Sequence, residues 1–137
     1  MMVGAQAYAN TQIQTASNVQ VIVLLYDGAI SSMKLAQEGM SSLNYQDKAR
    51  FLDRALRVIG ELSASLNMEE GGGIAKDLRR MYEYIQFELT QANLKNEPRR
   101  LEGPIRCLSH IREAWVDLAV QGTKPQAVGI STTGSYV

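Results

Sequence analysis

Between residues 18 and 120 the apolar positions recur three and four apart, the spacing of one face of an α-helix. The stretch from Asn18 carries Ile22, Leu25, Tyr26, Ala29, Ile30, Met33, Ala36 and Met40 on one broad face. Ser17 followed by Gln20 has the form of a capping box, which predicts a first helix from Asn18 to about Met40. A second helix is expected from Asn44 or Tyr45, with Leu52, Ala55, Leu56, Ile59, Leu62 and Leu66 as its stripe. The glycines at 71–73 read as its C-cap and the turn beyond, placing its end near Glu70. Ile74, Leu78, Met81, Ile85, Leu89 and Ala92 mark a third helix. After the break "LKNEPRR", where Pro98 suits a first helical turn, a fourth carries Leu101, Ile105, Leu108, Ile111 or Arg112, Trp115 and Leu118.

Val21 to Tyr26 is an unbroken apolar run, and its Val-Ile-Val start would suit a strand. No second strand-like segment exists to pair with it, so the run is read as helix. Short connections between long helices favour antiparallel neighbours. The expected fold is therefore all-α: an antiparallel up-and-down four-helix bundle over 18–120. A leader (1–17) precedes it, and a small, polar, aperiodic tail (121–137) comes after it, expected to be disordered.

The first helix has more apolar surface than one partner face requires. Asp27, Ser31, Lys34 and Glu38 form a solvated stripe, while Val21, Leu24 and Leu35 lie on one shoulder in line with Gly28, and Val23 lies on the other. Either neighbouring helices cover both shoulders, or one is open as a groove for an apolar peptide or helix. Gly28 favours close approach of another backbone without saying whose.

Composition narrows the function classes. The 137 residues suit one domain, and the 14 basic and 14 acidic residues alternate without a basic stripe, so no nucleic-acid partner is expected. The single cysteine, Cys107, excludes an intramolecular disulfide and fits a reducing cytoplasm. The first residues lack the charged and apolar regions of a signal peptide, and the Val21–Tyr26 run is far shorter than a bilayer span. A soluble, cytoplasmic protein without membrane insertion is expected. Cys107 and His110 share a helix face but have no evident third residue to orient them, so an enzyme is not expected. Paired Glu-x-x-His motifs, zinc-ligand spacings and a phosphate loop are all missing, and no metal or cofactor is expected. Tyr82, Tyr84 and Phe87, interleaved with charge, read as half core and half surface; Trp115 reads as core.

Five separated features then combine: Tyr8, Thr15-Ala16-Ser17, Leu25-Tyr26-Asp27-Gly28-Ala29, Ser65-Leu66 ahead of Gly71-Gly72-Gly73, and Arg112-Glu113-Ala114-Trp115. In this order and spacing, over about residues 8 to 118, the sequence resembles the FliS family of flagellar secretion chaperones. Asn18 departs from the proline that commonly follows Thr-Ala-Ser in that family, which touches only the rigidity of the helix cap. The resemblance implies a cytoplasmic helical bundle that binds the disordered C-terminal segment of flagellin, prevents its premature polymerisation and hands it to the flagellar export gate without ATP. It also implies a leader that lies over part of the binding track, with Tyr8 and Ile13 as its anchors. For the groove itself, Val21, Leu24, Gly28 and Leu35 are expected from helix one, with Ile59, Leu62, Leu66, Met81, Tyr82 and Ile85 from helices two and three. The rival reading is a regulatory or adaptor bundle that homodimerises through the same surface.

Overall fold

The structure, a computed structural model, describes residues 15–121, with side chains from Asn18 onward. Four α-helices succeed one another: α1 (Thr15–Ser41), α2 (Tyr45–Ala64), α3 (Met68–Lys95) and α4 (Glu102–Gln121), with a 3-10 turn Pro98–Leu101 leading into α4. No strand occurs among the described residues. The expected leader and tail fall outside them, apart from the helical Thr15–Ser17 and the last residue of α4.

The side-chain contacts fix the directions of the helices. Along α1 and the chain entering α4, Gln37 reaches the Pro98 carbonyl, Asp27 reaches Arg112, and Tyr26 reaches Trp115, so one number rises as the other falls. α1 and α4 are antiparallel. Tyr26 meets Tyr82 and the Met40 carbonyl meets Asn96, both 56 residues apart, so α1 and α3 run parallel on the bundle's diagonal. Lys48, near the start of α2, donates to the Asn93 carbonyl near the end of α3, so these two are antiparallel. The order is up, down, up, down.

Local chemistry explains most of the boundaries. Asn44 caps α2 by accepting from the Asp47 N–H at 3.1 Å, while its amide donates to the Asp47 carboxylate. Asn67 repeats the arrangement at the head of α3, with Glu70 in the place of Asp47. This corrects two expected boundaries. α2 stops at Ala64, with Ser65 as C-cap, and α3 begins ahead of the glycine triplet. The glycines lie inside α3, where Gly72 (φ 54°, ψ −126°) kinks the helix after its first turn. That backbone conformation is open to glycine and strained for other residues. α1 is already helical at Thr15, three residues before the expected start at Asn18.

α1 is the helix that the others share. It packs against α2, α4 and the 3-10 turn. Val19, Ile22, Tyr26, Ala29, Met33, Ala36 and Met40 are buried along one stripe, and α2 supplies Leu52, Ala55, Ile59 and Leu62 against it. At the α1–α2 corner a Cβ on Gly39 would lie 2.8 Å from the Lys48 backbone nitrogen, so only glycine permits this approach. Leu25 and Ile30, expected in the core, are half-buried at its edge. Asp27, expected in water, is ion-paired with Arg112. By length and composition, Asn18–Ser41 is long and apolar enough to cross a membrane. The Val21–Tyr26 run alone understated this, because Ala29, Ile30, Met33, Leu35 and Ala36 extend it; here the segment is the bundle's core helix.

The core contains a pair of tyrosine hydroxyls. Tyr26 and Tyr82 are fully buried and hydrogen-bonded to each other at 2.7 Å, and Trp115 meets Tyr26 edge-on with centroids 6.3 Å apart. Such an aromatic pair contributes about 0.5–1.5 kcal/mol beyond its burial. Burial pushes the Tyr26 hydroxyl up to about 12, partly offset by its bond to Tyr82, and pushes Tyr82 well above its ordinary value of 10.

Two outcomes are expected. Tyr82→Phe strands the Tyr26 hydroxyl and costs about 1–3 kcal/mol in urea unfolding, whereas adding Tyr26→Phe costs less than the sum of the two single changes. Secondly, the tyrosines ionise more readily in the unfolded chain than in the folded one. Stability is therefore fully present below the ordinary tyrosine value of 10 and falls as pH rises from there toward 12. Melting temperatures followed by circular dichroism across that range check the slope, which the double phenylalanine variant should flatten.

Candidate functional site

α4 leans on α1 and away from α3. Towards α1 it is fastened by the Asp27–Arg112 ion pair, whose second arm spans 3.4 Å, and by the Tyr26–Trp115 contact. Towards α3 it is fastened mainly at its beginning. There Tyr84 sits so close that a Cβ on Gly103 would strike its hydroxyl, and Arg100 pairs with Glu88 at 3.4 Å. From that corner α3 and α4 diverge, and elsewhere they approach at few points.

The divergence leaves a groove of about 680 Å³ between them, with Met81 on the α3 side and Ile105, Cys107, His110 and Ile111 on the α4 side. Arg106, Ser109 and Glu113 supply polar groups along it. A second groove, of about 510 Å³, lies on the other flank of α4 against the start of α1. It is lined by Gln20, Val23, Leu24, Val116, Ala119 and Val120. Leu24 is 68% exposed and Val120 83%, an unusual amount of branched apolar surface for a helix pair to leave in water. Both grooves share α4, whose inward residues Leu108 and Trp115 belong to the core together with Leu101 of the preceding 3-10 turn. Ile105, Ile111, Val116 and Ala119 sit half-buried on its flanks.

The expected groove residues divide accordingly. Leu24 lines the α1/α4 groove and Met81 the α3/α4 groove. Val21, Gly28, Leu35 and Leu66 are half-buried and line neither. Among the described residues, no atom beyond its own stretch of helix backbone lies within 4 Å of where a Cβ on Gly28 would sit, so none of them makes the close backbone approach expected there. Ile59, Leu62, Tyr82 and Ile85 are core residues with at most 1% exposure, which corrects their expected place on an open surface. They belong to the inward stripes of α2 and α3, so an occupant of either groove cannot touch them without unpacking the bundle. Tyr8 and Ile13 lie outside the described residues. The walls supplied by α4 were missed, although Ile105, Ile111, Val116 and Val120 are apolar positions beside the Leu101–Leu108–Trp115 stripe.

The chemistry available in these grooves is that of apolar side-chain capture. Cys107 and His110 both border the larger one, but no group of three His, Cys, Asp or Glu residues able to hold a metal occurs among the described residues. Two motifs far apart in sequence meet in space. Tyr26 and Asp27 of "LLYDGA" contact Trp115 and Arg112 of "REAW", so the pattern that distinguishes this chain is also what fastens α4 to α1.

Comparison with known proteins agrees with that pattern. A family model described as "Flagellar protein FliS" matches residues 1–122. The flagellar secretion chaperone FliS of Vibrio cholerae is 35% identical over 114 residues, covering 80% of this chain and 84% of that one. Its Salmonella typhimurium namesake is 35% identical over 121 residues, covering 85% and 90%. The one from Escherichia coli is 32% identical over 117 residues, covering 82% and 86%. These are chaperones, not enzymes. With its signature residues paired across the bundle and the match spanning nearly the whole chain, this protein belongs to the FliS family.

Proposed function

We propose that this protein is a cytoplasmic flagellar secretion chaperone that holds the disordered C-terminal segment of flagellin along the flanks of α4. The observation that carries the reading is the open apolar α3/α4 groove, continued on the far flank of α4 by exposed Leu24 and Val120. A disordered segment loses conformational freedom on binding, so it needs an extended apolar track and not one small pocket. Two grooves on one helix provide such a track.

While the segment lies there, it is withheld from the contacts that would build filament. The subunit stays monomeric until the export gate takes it. No nucleotide is required, since binding to the export-competent form shifts the population by mass action. The leader, through Tyr8 and Ile13, covers part of the track when no client is present. On this reading residues 1–17 act as a cover, 18–120 as the binding body and 121–137 as an appendage.

Co-purification with flagellin tests the reading. Full-length flagellin should be retained and a C-terminally truncated form lost; equal retention of both contradicts the proposal. Leu24→Glu should weaken binding of a flagellin C-terminal peptide about tenfold or more by calorimetry, the scale expected when a buried leucine contact worth about 1.5–3 kcal/mol is removed. Its far-ultraviolet circular dichroism should be unchanged, because Leu24 contributes little to the core.

A further inference from the structure

The α1/α4 groove lies at the last described turn of α4. Its walls include Val116, Ala119 and Val120, and the described part of the helix runs to Gln121. Beyond the helix the chain continues as Gly122-Thr123-Lys124-Pro125, and then Gln126-Ala127-Val128-Gly129-Ile130. A glycine directly after a helix and a proline shortly beyond it are the residues that end a helix and let the chain turn. This turn-forming sequence follows directly on a groove that the described residues leave open, with an apolar stretch within three residues of it.

We propose that residues 126–130 of this chain fold back into the α1/α4 groove and cover Leu24 and Val120 in the free protein. The dimensions agree. Val116 lies five residues before Gln121, about 7.5 Å back along the helix axis. With 122–125 making the reversal, Val128 is three residues further on, about 10 Å of extended chain, which brings it level with Val116. Val128 and Ile130 are two apart and face the same side of an extended segment. They are the branched apolar pair that a groove walled by Val23, Leu24, Val116 and Val120 would accept. Charge is compatible as well: the groove lining is uncharged, and among side chains from 122 to 137 only Lys124 carries charge.

The leader is the competing occupant, since α1 also begins near this groove. It would have to reverse across Leu24, nine residues inside α1, yet residues 5–17 contain neither glycine nor proline. The tail has both at the required place. This occupancy concerns the free protein alone and stands or falls apart from the identity of the client.

Disulfide trapping in the full-length chain tests it, in a Cys107→Ser background. Leu24→Cys is paired with Val128→Cys. One control pairs Ile74→Cys with Val128→Cys, because Ile74 is 47% exposed and the 56-residue register places it at the same end of the bundle, on α3. A second control pairs Leu24→Cys with Ile13→Cys. The Leu24–Val128 pair should close within one chain about tenfold faster than either control under mild oxidation, reflecting its higher effective concentration. Equal rates, faster closure with Ile13, or bridges formed only between chains would each overturn the proposal. As a second readout, Val128→Asp with Ile130→Asp should speed amide exchange at residues 20–24 and 116–120; unchanged exchange there also overturns it.

Discussion

The fastening of α4 to α1 is the constraint on which the rest of the structure depends. Tyr26 lies at its centre, bonded to Tyr82 across the diagonal and stacked edge-on against Trp115, with the neighbouring Asp27 held by Arg112. One turn of α1 therefore sets the positions of both α3 and α4. A buried hydroxyl pair tolerates little displacement, because a lost partner leaves a polar group unsatisfied in the core. With α4 committed to α1, it cannot also close on α3 along its length. The α3/α4 groove results from that geometry, and the apolar flanks of α4 remain available to a partner.

The same constraint resolves the apolar excess of α1. Its buried stripe from Val19 to Met40 belongs to the fold, and Val23 turns towards α4. Leu24, one residue further round, is not covered by any described residue to an extent that removes it from water. A bundle that only had to be stable would gain from a polar residue there. An exposed leucine beside an exposed valine at the end of α4 makes sense if something else covers them for part of the time, whether a client segment or the chain's own tail.

Much of this was legible in the sequence. Four helices, their parallel and antiparallel order, the core role of Tyr26 and Trp115 and the family itself can all be read from periodicity, connection length and motif spacing. The α2–α3 boundary differs from the expectation because the three glycines are a louder signal than the cap that sets it. Asn67-Met68-Glu69-Glu70 has the same cap spacing as Asn44–Asp47, and that cap starts α3 before the glycines kink it. The groove was less accessible. A helical wheel divides apolar residues into stripes but does not say which neighbour covers which shoulder. Ile59, Leu62 and Ile85 sat on the very stripes that defined their helices, and their periodicity already argued for the core. The flanks of α4 became visible only once Arg112 and Trp115 were seen to turn that helix towards α1.

Hydrogen–deuterium exchange, with and without a peptide of the flagellin C-terminal segment, tests most directly whether the client lies along α4. The account predicts slower exchange on binding in α4 from Ile105 to Val120, around Met81 of α3 and at Val23 and Leu24 of α1. The outer face of α2, at Arg54, Arg57 and Glu61, should not change. Slowing confined to α2 with α4 unaltered would contradict the account.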